Sequence, residues 1–257
     1  IVGSEVPIPG GAQEENAGMQ VTKPEDFKST VATFEKAFDD MGIADAWNHV
    51  IAAVVQPGVE EKDAGCEEYD RERAKDLMAS IKDFEGHSTD YQTKYKLREL
   101  VEDGVGILKV GPGLTYAARE GIFSLCMIEE ELAAVYGFET SHFREELDKA
   151  MLANPGKWAP YYHGTENEIA FKRKYSFSDR CRYYLPQENV KNALAKLLAN
   201  LKEHPVPLPL LSQYMPFQYT LVREGKLNNT PEDLIKARVM YTIEEYTYAS
   251  HQEELVR

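Results

Sequence analysis

Residues 84–122, FEGHSTDYQTKYKLRELVEDGVGILKVGPGLTYAAREGI, constrain this chain more than any other stretch. Residues 84–87 read as a short strand ending on His87, and 88–92 as a polar turn. Residues 93–103 carry Tyr95, Leu97, Leu100 and Val101 at helical spacing, closed by Gly104. Residues 105–110 are an apolar strand with Lys109 near its end, followed by a Gly111-Pro112-Gly113 turn and a long helix. Two strands joined by one helix through short loops must run parallel, because the crossover returns the chain to the same end of the sheet. The polar residues therefore fall just past the carboxyl ends of the strands, where parallel α/β sheets hold their chemistry.

The rest of the chain extends this pattern. Residues 1–5 read as a strand, and the prolines and paired glycines of 6–11 as an irregular turn. Thr22 and Glu25 have the spacing of a capping box for a helix reaching about Met41, with Phe27, Val31, Phe34 and Phe38 on one face. Residues 44–49 fit a further helical turn, 50–55 a strand covered on both faces, 59–69 an acidic loop, and 70–82 a helix. Four βα units in series predict an α/β fold, a parallel sheet or part of a (β/α) barrel. After residue 137 the texture becomes helical and tyrosine-rich. The expected division is a barrel portion over 1–137 and a helical appendage over 138–257. The chain opens on Ile-Val-Gly-Ser-Glu, inside an expected strand, which suggests part of a longer polypeptide.

Composition narrows the function classes. Of 257 residues 43% are hydrophobic and 28% charged, as in a soluble globular protein, and the net charge is −14. That charge argues against nucleic acid and anionic membranes, which call for a cationic face. Cys66, Cys126 and Cys181 are widely spaced and odd in number, the pattern of reduced thiols in the cytoplasm. No apolar run approaches the ~20 residues of a membrane span.

The blocks VGSEVPIPGG, VVQPGVE, GHSTDYQT, LKVGPGLTYAAREGIF and YSFSDRCRYYLP carry a resemblance along nearly the whole chain. It resembles the GatZ/KbaZ family, the non-catalytic (Z) subunit of bacterial D-tagatose-1,6-bisphosphate aldolase. The resemblance implies a (β/α)8 TIM barrel of class II aldolase type, of which this chain supplies the C-terminal half, its last four βα units, plus a helical C-terminal appendage. Residues 1–5, 50–56, 84–87 and 105–110 would be strands five to eight. It implies a subunit that stabilises a separate catalytic class II aldolase and raises its activity, in galactitol or N-acetylgalactosamine catabolism. The alternative is a metal-dependent ketose-phosphate 4-epimerase or aldolase acting by retro-aldol chemistry. Family members have also been labelled tagatose-6-phosphate kinases, yet the chain has no G-x-x-x-x-G-K-[ST] phosphate loop.

Class II aldolase chemistry needs a divalent metal, here zinc or manganese, with a carboxylate acid/base and donors for phosphate. The resemblance puts His87 at the seventh-strand metal position; the plainer reading is a histidine hydrogen-bonded within the barrel mouth. At the sixth strand Gln56 stands where active aldolases have histidine, and glutamine is a weak ligand. Glu5 is a catalytic candidate near the metal, or an anchor for the Pro-Gly turn. Asp90 either orients His87 or caps the helix at Thr93. Lys109 either reaches a sugar phosphate or pairs with Glu5 or Asp90. Gly111 and Gly113 can offer backbone N–H groups to a phosphate, although Pro112 removes one donor. Arg119 adds a charge there, or is exposed or ion-paired. If 1–5 and 105–110 are open sheet edges, association with another half or another copy is expected.

Overall fold

The computed structural model describes residues 1–3, 20–80 and 84–252. It divides into two compact units, Ile1–Gly111 with Glu244–Arg257, and Pro112–Ile243. Residue 137, the boundary expected from the sequence, lies inside the second unit.

The first unit is built on parallel strands β1 (Ala53–Val55), β4 (Phe84–Gly86) and β5 (Val105–Leu108), in the spatial order β1-β4-β5. Val2 adds a parallel bridge to Ala53 on the far side of β1. Each strand therefore lies beside the next in the chain. The parallel register pairs Val55 with Gly86 and Gly86 with Leu108, so all three strands end together. The connecting helices are α2 (Arg71–Met78) and α3 (Lys94–Glu102). Asp70 caps α2 through the N–H groups of Glu72 and Arg73, and Thr93 caps α3 through Lys96 N–H. Leu77, Leu97, Leu100, Val55 and Val105 form the core, whereas Tyr95, expected on the inward stripe, is 61% exposed.

Two expectations fail here for physical reasons. The helix α1 (Pro24–Asp40) has Lys23 at its N-cap and no side-chain cap. Thr22 is instead drawn to the strand end: its N–H donates to Gln56 O at 2.9 Å and its Oγ1 accepts from Gln56 N at 2.9 Å. The tertiary pairing satisfies buried backbone groups and outcompetes the local cap. The second failure is the acidic loop. It contains an antiparallel hairpin, β2 (Glu60–Glu61) with β3 (Cys66–Glu67), closed by Lys62 N–H to Gly65 O at 2.8 Å. Glu60 and Glu61 are buried, not solvated.

The second unit is helical. Its centre is α4 (Pro112–Tyr136), packed by α5 (Phe143–Ala153), α7 (Glu188–Glu203) and α8 (Leu208–Tyr214). Leu125, Ile128, Phe143, Met151, Leu197 and Leu211 are fully enclosed there. Helix α6 (Glu166–Tyr175) carries a complete capping box between Thr165 and Glu168, absent from the sequence reading. Pro216 separates α8 from α9 (Pro216–Arg223), because it has no N–H to continue α8's backbone hydrogen bonding. Helix α10 is Pro231–Ala249. Arg119 is buried beside Asp179, 3.7 Å from Nε to Oδ1, and lies on the rings of Tyr116 and Phe123. The SDRCRYY motif thus supplies the counter-charge for Arg119 inside this unit.

Candidate functional site

The common end of β1, β4 and β5 places Gln56, His87 and Lys109, one residue or less beyond each strand, at one edge of the first unit. The backbone fixes them. His87 N–H donates to Val55 O at 3.2 Å, and Lys109 N–H to Gly86 O at 3.1 Å. Lys109 O accepts from Thr89 N–H at 3.1 Å and Thr89 Oγ1 at 2.8 Å. The turn carries two non-glycine residues at positive φ, Ser88 at 57° and Tyr91 at 60°, a conformation concentrated at functional sites. Residues 87–90 are all buried, and Tyr246 O–H closes over them by donating to Thr89 O at 2.9 Å.

Lys109 Nζ lies 3.4 Å from His87 Nε2. Burial first, and the Lys109 ammonium second, push the imidazole down to about 4, so it is neutral at pH 7. With the ammonium donating to Nε2, the ring proton belongs on Nδ1, which is buried with no partner. Gln56 is committed to its own turn. Its Oε1 accepts from Gly58 N–H at 2.8 Å and Val59 N–H at 2.9 Å, while Nε2 approaches Glu60 Oε2 at 3.5 Å. Gly58 sits at φ +90°, which suits glycine at the head of this turn.

The hairpin brings a feature that the sequence reading missed. Glu60 is 1% and Glu61 6% exposed. Burial raises the Glu60 carboxyl, against hydrogen bonding from Glu61 and Ser88 and the charge of Lys109. Burial and the neighbouring Glu60 and Asp90 push Glu61 up to about 9, so it keeps its proton at neutral pH. The signal in the sequence was an acidic pair four and five residues after Gln56, just past a Pro-Gly turn at a strand end.

The remaining candidates fall as follows. Glu5 lies outside the described residues. Asp90 does not cap α3, since Thr93 does; both its carboxylate oxygens accept from Gly111 N–H, at 2.9 and 3.0 Å. Gly111 N–H is thereby directed at Asp90 rather than offered to a phosphate. Gly113 belongs to the second unit. Among the described residues no three His, Cys, Asp or Glu side chains converge as a divalent cation requires. His87 also faces a lysine ammonium and Gln56 is spent on backbone, so this donor set does not fit zinc or manganese. No helix of the described residues is long and apolar enough to cross a membrane.

A crystal structure of a probable tagatose 6 phosphate kinase from Sinorhizobium meliloti 1021 superposes with a TM-score of 0.83 at 39% identity, over 90% of this chain. The chain spans about 60% of that protein's length. The family model for the D-tagatose-1,6-bisphosphate aldolase subunit GatZ/KbaZ-like proteins matches residues 1–251. The chain belongs to the GatZ/KbaZ-like family of D-tagatose-1,6-bisphosphate aldolase subunits.

Proposed function

We propose that this chain is the non-catalytic subunit of a cytoplasmic class II tagatose-1,6-bisphosphate aldolase, stabilising a separate catalytic subunit and raising its activity in galactitol or N-acetylgalactosamine catabolism. The observation that carries the reading is the state of the sixth- and seventh-strand positions. Gln56 is consumed by the Gly58 and Val59 N–H groups, and His87 is held against a cation. A metal-polarised ketose carbonyl calls for imidazole and carboxylate donors at those places, not an occupied carboxamide. Parallel strands in consecutive order support the C-terminal half of a TIM barrel as the scaffold.

The second reading, a metal-dependent ketose-phosphate 4-epimerase or aldolase, is favoured by Glu61. A carboxyl that holds its proton at neutral pH can serve as a general acid. One experiment separates the two. The purified chain is assayed for cleavage of D-tagatose 1,6-bisphosphate alone, with zinc or manganese, and with a catalytic class II aldolase subunit. The expected result is no turnover by the chain alone, but a higher rate and slower thermal inactivation of the catalytic subunit in its presence. Metal-dependent turnover by the chain alone, abolished in His87→Ala, would overturn the non-catalytic reading.

A further inference from the structure

The described residues include three buried arginines, Arg119, Arg173 and Arg180, all in the second unit. A buried guanidinium ordinarily takes an anion with it, because its lost hydration has to be replaced. Arg119 has Asp179 at 3.7 Å, and Arg173 has Asp148 at 2.7 Å. Arg180, only 4% exposed, pairs with no carboxylate among the described residues. Its Nε donates to Lys157 O, while its Nη1 is buried with no hydrogen-bond partner. Tyr161 lies against the guanidinium, 3.5 Å from Cζ to the ring centroid, and the Tyr183 ring is 5.2 Å away. Arg182 shares the Tyr183 ring at 4.5 Å and brings a second positive charge. Burial pushes the Arg180 guanidinium down from its ordinary value; the two tyrosines oppose this, and Arg182 adds to it.

We propose that Arg180 anchors a binding site for the carboxylate of a small organic acid. Once Nε has taken Lys157 O, the Nη edge of the guanidinium is what remains to be matched. The guanidinium fork fits carboxylate and phosphate alike. Tyr161, however, covers a face of this one, so a flat, coplanar carboxylate fits where a tetrahedral phosphate would project oxygens towards the ring. A cation would be repelled by both guanidiniums. Arg182 supplies charge rather than contacts, since its Nη1 donates to Ser178 O and Asp179 O and its Nη2 to the Tyr183 hydroxyl at 3.0 Å. Tyr183, 45% exposed, is the outer wall. Exposed side chains change rotamer within picoseconds to nanoseconds, so movement of this ring admits the acid. The site is built wholly from the second unit and depends on neither functional reading.

The test uses the whole chain with Trp47→Phe, which leaves Trp158 as the reporter. Trp158 stacks on Tyr162 at 6.3 Å, and the Tyr162 hydroxyl accepts from Arg180 N–H at 3.3 Å. Acetate and inorganic phosphate are titrated separately, with chloride holding the ionic strength constant. Acetate should change Trp158 fluorescence saturably, and phosphate should bind at least about tenfold more weakly. In ¹⁵N-arginine-labelled wild type the Arg180 Nε resonance should shift along the acetate isotherm, a readout that stays decisive if a variant folds poorly. Arg180→Lys keeps the charge but loses the planar fork, and should weaken acetate binding about tenfold or more. No saturable response to acetate, an unmoved Arg180 resonance, phosphate binding as tight as acetate, or undiminished acetate binding in Arg180→Lys would each overturn the proposal.

Discussion

Replacing Glu61 with glutamine should change how the stability of the first unit depends on pH, in a direction set by the buried pair. The unfolded chain releases the Glu61 proton near 4.5, whereas the folded chain holds it to about 9. Between those values the native state binds one more proton than the unfolded state, so unfolding free energy falls as pH rises. His87 acts oppositely. Its ordinary value is 6.5 and its folded value about 4, so its contribution is complete above 6.5 and lost as pH drops towards 4. From 4.5 to 6.5 the slope of His87 opposes that of the acidic pair; above 6.5 the acidic pair is unopposed, and the raised Glu60 carboxyl acts in the same direction as Glu61. At about 1.4 kcal/mol per pH unit, wild type should lose roughly 3 kcal/mol between about pH 6.5 and about pH 8.5. Glu61→Gln mimics the protonated carboxyl, so its profile should fall less steeply there than that of wild type. The chain's two tryptophans make the assay selective, because Trp47 lies in the first unit and Trp158 in the second. In a Trp158→Phe background, urea unfolding followed by Trp47 fluorescence reads the unit that holds Glu61. Parallel profiles for the two proteins above pH 6.5 would refute the reasoning.

Two further substitutions probe other features. Gln56→Ala leaves the buried Gly58 and Val59 N–H groups without their acceptor, which should cost roughly 2–4 kcal/mol in the Trp47-reported transition and speed exchange of those two amides; a loss under about 0.5 kcal/mol would contradict the assignment. In the second unit, Arg119→Met strands the buried Asp179 carboxylate and should cost about 3–5 kcal/mol by Trp158 fluorescence, while Arg119→Met with Asp179→Asn should recover a large part; equal losses in the two would show that the ion pair is not what holds the site.

The sequence was most legible where one rule acted alone. Parallel strands separated by capped helices gave β1, β4 and β5, and the strand ends gave Gln56, His87 and Lys109. It was least legible where a tertiary partner overrode a local signal. Thr22 and Glu25 match a capping box in spacing, but Gln56 recruits Thr22. Asp90 stands where a helix cap is plausible, but Gly111 N–H claims its carboxylate from another strand end. Glu60 and Glu61 escaped because a two-residue strand has no alternation to detect, and consecutive carboxylates ordinarily signify solvent. Helix α6 was legible in principle, since Thr165 and Glu168 have the spacing of a capping box.

The acidic pair bears on function through what it costs. Two adjacent carboxyls are enclosed beside a third, Asp90, and one of them is neutralised by burial. Nothing in the hairpin's architecture asks for this. Glutamine at 61 would fill the same space, offer the same neutral polarity and remove the pH-dependent penalty. Glutamine at 60 would remove the repulsion that adds to burial in keeping Glu61 protonated. A scaffold that carries a destabilising, partly unsatisfied cluster where its parallel strands end has the signature of a site shaped by a ligand or proton rather than by folding. Glu61→Gln should accordingly stabilise the first unit at pH 7, read as a higher urea midpoint by Trp47 fluorescence.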